Sequence, residues 1–339
     1  MRGIKTNKRE GEGGGRTSVI IAAIAITMLV AVSAPFFFGG EDNEQVLGAS
    51  STVTISQTMT DADIETDIQT AIDGSSSGDK VTVTGSKTNA AGTLDLNIKS
   101  GVTVVWKAVF KDACCIDIVG AGTFEITDGA DISSNQTDTI RARYGNVHVL
   151  VSGGTVKNTS PHDAIHYGPG GITVTGGWIE SPSDYYEGTI FGNNGGNVII
   201  TGGTILATGN DGVAVYNDSG GDVTITGGTV NSTGDHGKTI HTGTSGIDGG
   251  DVIITGGTVS ATGEDSYAIY MDDGSLLRYA EGTVFGEIYN GNGITEIIGA
   301  VVDDDDDEDS TTSAAVLVFI AAAALLVVCF AGFFIERRS

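Results

Sequence analysis

In residues 222–226, DVTIT, the apolar Val223 and Ile225 alternate with Thr224 and Thr226. A period of two predicts a strand with one buried face. Two glycines follow, Val230 resumes the apolar side, and Thr239-Ile240-His241 supplies a third short apolar–polar run. Helix-period stripes are absent from this part of the chain. The one exception lies ahead of it, at residues 60–74, TDADIETDIQTAIDG. There Ile64, Ile68, Ala71 and Ile72 share one helical face, Asp61, Asp63 and Glu65 suit the N-terminal dipole, and Gly74 is a stop.

The pattern repeats. Thr139-Ile140-Arg141, Ala164-Ile165-His166, Thr189-Ile190-Phe191, Ala214-Val215-Tyr216 and Thr239-Ile240-His241 recur every 25 residues, and Ala268-Ile269-Tyr270 follows after 29. Between them stand VLVSGGTV, ITVTGGWI, VIITGGTI, VTITGGTV and VIITGGTV. Three short strands per period, separated by Gly/Asn/Asp turns, predict one coil of a parallel β-helix. Stacked coils set equivalent residues about 4.8 Å apart. Ile116, Ile140, Ile165, Ile190, Val215, Ile240, Ile269 and Ile288 then form an inward apolar column. No coil can bury its own face; the stack can. The helix is a natural lid for the first coil, whose open edge would otherwise pair with other chains.

A helix ending IQTAIDG, then GDKVTVTG, GVTVVWKA, GTFEITDGADI and serial VTITGGTV units resembles the pectin-lyase-like right-handed parallel β-helices. Within them it is similar to the repeat-bearing, adhesin-like cell-surface proteins of bacteria and archaea, over about residues 46–302. The resemblance implies an all-β, right-handed fold and a surface setting. It leaves the chemistry open, because that superfamily holds lyases, hydrolases, binding modules and stalks.

Two apolar runs, residues 18–38 and 313–335, each exceed the roughly 18 residues that span a bilayer as a helix. Arg2, Lys5, Lys8, Arg9 and Arg16 precede the first, and Arg337 and Arg338 follow the second. That places both ends in the cytoplasm and residues 39–312 outside the cell membrane. The first run reads equally as a retained anchor or as a signal cleaved after AVSA, residues 31–34, with Pro35 against cleavage. The expected order is a basic tail (1–17), transmembrane helix or signal-anchor (18–38), linker and first strand (39–59) and capping helix (60–74). The parallel β-helix (75–302), an acidic spacer (303–312), a transmembrane helix (313–335) and a short tail (336–339) follow.

Charge narrows the partners. A net charge of −26 repels nucleic acid and anionic lipid, so neither is an expected partner beyond the membrane that holds the apolar runs. Cys114 and Cys115 are adjacent and Cys329 lies in the apolar tail, so no disulfide framework is expected.

The glycine pairs are not phosphate loops: no Lys-Ser/Thr follows and no helix begins there. Turn chemistry accounts for them. No calcium-binding nonapeptide or EF-hand loop occurs, which leaves Asp272-Asp273 and Asp211 as weak Ca²⁺ candidates and no expected cofactor. The histidines, His148, His162, His166, His236 and His241, lack metal-ligand spacing. Acids recur before the tripeptides at Asp138, Asp163, Asp184, Asp211, Asp235 and Asp265. Stacking produces glycosidase-like carboxylate spacing at any column, so these acids do not argue for hydrolysis. Catalysis is therefore not expected. Alternation sets Arg141, His166, Phe191, Tyr216, His241 and Tyr270 opposite the isoleucines, hence toward solvent, as a ladder on which sugar rings could stack. Trp178, in place of a Thr that faces outward in other coils, extends that candidate carbohydrate surface. Packing between strand neighbours is the alternative explanation of the same column. Trp106 shares a face with Val102 and Val104 and is expected in the core. Four sequons, at Asn135, Asn158, Asn217 and Asn231, are candidate glycan acceptors. The leading expectation is a membrane-anchored, adhesin-like surface or envelope protein that contacts polysaccharide. An extracellular lyase or glycoside hydrolase and a purely structural stalk are the alternatives.

Overall fold

The computed structural model describes residues 48–298 other than 114, 185–186, 244–248, 273–274 and 292, together with residues 318–320. Residues 48–298 wind as a parallel β-solenoid of about 8 turns, with one helix at its start. Each coil contributes to three faces. The coil just before DVTIT runs from Val198–Ile200 through Thr204–Ala207 to Val213–Asn217. Each of these strands pairs in parallel with its equivalent one coil on: Ile200 with Ile225, Ile205 with Val230, Val215 with Ile240. The third face is a nine-stranded sheet of such equivalents, from Thr93–Ile98 to Glu287–Asn290.

Alternation becomes burial as the pattern predicts. Val223, Ile225 and Val230 are fully buried, while Thr224 and Thr229 face outward. The column Ile116, Ile140, Ile165, Ile190, Val215, Ile240 and Ile269 is inaccessible to solvent, and Ile288 is partly buried at the last coil. Each such side chain stabilises the stack by roughly 1.5–3 kcal/mol. The four extra residues before Ala268 leave the register intact, with Ile240 still opposite Ile269. Trp106 is fully buried against Phe110 and Phe124. Cys115 is buried; Cys114 lies outside the described residues.

The glycine pairs are required for two separate reasons. The second member adopts positive φ in every repeat: Gly154 (71°), Gly177 (82°), Gly203 (80°), Gly228 (83°) and Gly257 (79°). The first member does not. Instead a Cβ on Gly202 or Gly227 would come within 2.3 or 2.4 Å of the carbonyl oxygen of Thr175 or Thr201, one coil before. One glycine turns the corner and the other lets the coils approach.

The helix Asp61–Gly74 covers the first coils with Ile64, Ile68 and Ile72, all fully buried. Thr60 and Asp63 form a reciprocal capping box at its start. Gly74 is its last residue rather than the stop beyond it; the Ser75 N–H closes the final turn on the Ile72 carbonyl at 3.1 Å.

Among the described residues no helix is long and apolar enough to cross a membrane. The run at 18–38, its flanking segments 1–17 and 39–47, the spacer 303–312 and the tail 336–339 lie outside the described residues. Of the run at 313–335 only Val318–Ile320 are described. They pair as a strand, antiparallel to Ile294–Ile298, where the sequence predicts membrane helix. The last coil has no following coil, so its free backbone edge takes the nearest strand available.

Candidate functional site

The register of the third face brings the aromatic column together. Arg141 pairs with His166, His166 with Phe191, Phe191 with Tyr216, Tyr216 with His241, and His241 with Tyr270. Asp117 precedes this column and Tyr289 continues it beyond Tyr270. The rings touch in series: His166–Phe191 at 4.6 Å and His241–Tyr270 at 5.1 Å between centroids meet edge to face, Phe191–Tyr216 at 5.1 Å is tilted, and Tyr216–His241 at 4.4 Å is stacked. Below them the Arg141 guanidinium meets the Asp117 carboxylate at 2.9 Å.

The expectation of a solvent-facing ladder is corrected here. The column does lie opposite the isoleucines, but His166 (5% exposed), His241 (4%) and Tyr216 (8%) are buried. Coils about 4.8 Å apart leave little room between side chains of one column, so neighbouring rings cover one another by an edge or a face. Phe191, Arg141 and Tyr270 keep partial exposure. Trp178 stands elsewhere, on the second face, and does face solvent (41% exposed). Its indole N–H donates to Glu180 Oε2 at 2.8 Å, and Glu180 pairs with Lys157 at 2.7 Å.

The two histidines of the column sit in opposite electrostatic settings. His166 Nδ1 lies 2.9 Å from Asp163 Oδ2 and 3.7 Å from Asp138 Oδ2. Burial alone would depress its pKa, but the two carboxylates outweigh burial and raise it to about 9. Asp163 is fully buried, and that burial pushes its own carboxyl up despite the imidazole. Burial, with Asp163 and Asp138 nearby, also lifts Glu187 to about 8. Burial opposes ionisation of Asp138 too, but His166 and the arginines hold it below the usual carboxylate range. At the other setting His241 Nε2 lies 3.1 Å from Asp272 Oδ2. Burial, reinforced by the Lys238 ammonium, takes its pKa down to about 4 against the pull of Asp272. Lys238 sits 4.2 Å from the centroid of the Tyr270 ring, and burial lowers its own pKa.

Asp138, Asp163 and His166 therefore converge, although no local spacing of histidines announces it. Their ligand-bearing atoms lie within 4.8 Å of one another. Asp138 and Asp163 stand one 25-residue period apart, and His166 is three residues past Asp163, so the signal appears only when coils are aligned. Glu187, from the following coil, is the member that sequence reasoning missed. The other recurrent acids are turn residues: Asp211 and Asp265 are exposed at positive φ, 58° and 52°. Asp272 is engaged with His241, and Asp273 lies outside the described residues.

Two of the four sequons are corrected. Asn158 and Asn217 are fully buried. Asn158 donates to the Thr137 and Asp163 carbonyls at 2.7 and 2.9 Å, and Asn217 donates to the Gly221 carbonyl. Both side-chain amides serve as internal turn braces, out of reach of a glycosylating enzyme in the folded chain. Asn135 is exposed and Asn231 half-buried.

Comparison with known proteins finds no family model that matches, no similar curated protein and no similar solved structure.

Proposed function

We propose that this chain is a membrane-anchored, surface-displayed β-helix, an adhesin-like or envelope component that contacts polysaccharide through its exposed aromatic residues. The observation that carries the reading is an uninterrupted solenoid set between two apolar runs with basic outer flanks. Such a stack is a stiff spacer that holds a side surface away from its anchor. Its acidic composition favours neutral or cationic glycans over polyuronates. The buried column supports stacking within the protein, so the sugar contact falls on Trp178, with Glu180 and Lys157 beside it as hydrogen-bonding groups.

The test is a glycan array probed with the full chain in detergent. Retention on at least one polysaccharide, lost in Trp178→Ala and kept in Tyr216→Ala, is the expected result. Retention that survives Trp178→Ala removes the tryptophan from the reading. No retention on any glycan, together with protease protection of residues 39–312 on intact cells, overturns it.

A structural stalk is the second reading, favoured by the burial of His166, Tyr216 and His241 within the column. Binding to no glycan while residues 39–312 remain accessible on intact cells would select it. A lyase or hydrolase would instead release unsaturated products or new reducing ends from a polysaccharide panel.

A further inference from the structure

We propose that Asp138, Asp163 and His166 form a site for a first-row divalent transition ion, Zn²⁺ being the fitting class, which pins two successive coils together. The proposal is independent of surface display and of glycan contact.

The geometry suits the ion. His166 Nδ1 stands 2.9 Å from Asp163 Oδ2 and 3.7 Å from Asp138 Oδ2. A tetrahedral site with bonds of about 2.0–2.1 Å separates its ligand atoms by about 3.3 Å, a value that these two distances bracket. The Asp163 side chain is fully buried, and its Oδ1 accepts the Gly188 N–H at 2.8 Å. That bond fixes the carboxylate with Oδ2 turned into the cluster. Oδ2 lies 2.9 Å from His166 Nδ1 and makes no further hydrogen bond. A buried carboxylate oxygen held in this way needs a cation beside it, the imidazolium in the metal-free chain and the ion itself when one is bound.

The donor set decides the class of ion. One imidazole nitrogen with carboxylate oxygens suits Zn²⁺ and its first-row neighbours, whereas Ca²⁺ and Mg²⁺ take oxygen alone. Charge points the same way. Asp138, Asp163 and Glu187 bring three carboxyl groups to the site against the one imidazole, and the nearby arginines are already placed. Arg141 is paired with Asp117 at 2.9 Å, and Arg143 lies 5.6 Å from the Tyr144 ring centroid. Glu187, from the following coil, neighbours Asp163, and His162 Nδ1 stands 3.9 Å from its Oε1. On binding, the Nδ1 lone pair goes to the ion and any proton on Nδ1 leaves to solvent.

The experiment uses the full chain in detergent, stripped with chelator and then freed of it. Isothermal titration with ZnCl₂ is expected to show one saturable site per chain, unaffected by excess MgCl₂ or CaCl₂. Co²⁺ in its place is expected to give the intense visible bands of tetrahedral coordination. Asp138→Asn and His166→Gln should each weaken Zn²⁺ binding by about 10- to 100-fold or more. His241→Gln, in the same column but outside the cluster, should bind as the parent does. Circular dichroism checks that each variant is folded, and the Co²⁺ spectrum of the parent decides the matter if one is not. Absence of saturable Zn²⁺ binding, or six-coordinate Co²⁺ bands, overturns the site. So does a Zn²⁺ affinity unchanged in a folded Asp138→Asn or His166→Gln chain.

Discussion

His166 and His241 occupy the same column of the same face, three coils apart, and each is buried beside a carboxylate. Their protonation nevertheless diverges, to about 9 for one and about 4 for the other. The backbone gives them equal burial, so burial cannot explain the difference. What differs is the charge brought by neighbouring coils. His166 receives two carboxylates, Asp163 from its own coil and Asp138 from the one before. His241 receives Asp272 in contact, the weaker pull of Asp218, and an opposing ammonium, Lys238, three residues before it. A repeat fixes where a side chain goes; its electrostatic state is written by residues that the repeat leaves free.

The sharpest way to break the comparison is to remove each imidazole. In the metal-free chain, His166→Phe leaves Asp163 buried without its cation and should cost about 3–5 kcal/mol. His241→Phe retains a flat ring in the Tyr216 stack and should stay within about 1 kcal/mol of the parent. Denaturant midpoints measure both, and equal losses would refute the assignment of different roles.

Acidity separates the pair next. With chelator present, NMR titration should show His166 holding its proton to about pH 9 and His241 staying neutral down to about pH 4. The signs are opposite. The raised pKa of His166 gives stability that is complete below its unfolded value of about 6.5 and is lost as pH rises toward 9. The lowered pKa of His241 gives stability that is complete above about 6.5 and is lost as pH falls toward 4. Melting temperature should therefore fall on both sides of roughly pH 6.5 from these two groups. In His241→Phe the acid-side loss should shrink while the alkaline side stays as it was.

A smaller effect follows from Lys238→Met. Its ammonium helps keep His241 neutral, so the variant's His241 should titrate above its present value of about 4. Loss of the contact with Tyr270 should cost about 0.5–2 kcal/mol. The smallest change is Tyr216→Leu, which removes a parallel stack at 4.4 Å and an interplanar angle of 6°. Loss of that ring pairing should cost about 0.5–1.5 kcal/mol, read from the same denaturant curves.

The alternation in DVTIT and the 25-residue recurrence made the coil, its inward column and the capping helix legible before any coordinates. Period two says on which side of a strand a residue lies, and that much holds for His166 and Tyr216. It does not say what lies over that side. Here the neighbours in the column cover it, so residues predicted in solvent are buried. Asn158 and Asn217 escaped for a related reason: a three-residue sequon carries no information about whether its amide folds back onto a turn carbonyl. The Asp138–Asp163–His166 cluster was readable in principle, since its acids are one period apart. Searching for ligands within one loop hides a site whose members belong to two.

The paired glycines carry a consequence for how such a chain can change in length. The first glycine abuts the coil before it, at a carbonyl oxygen for Gly176, Gly202, Gly227 and Gly256, and the second holds φ between 71° and 83°, so neither position of the corner accepts a side chain. Insertion of a whole period should lengthen the rod by one sheet spacing, about 4.8 Å, and leave every column intact. Insertion of a single residue inside a strand would exchange inside for outside in that strand. The molecule's length is thus quantised, and the glycine corner sets the quantum.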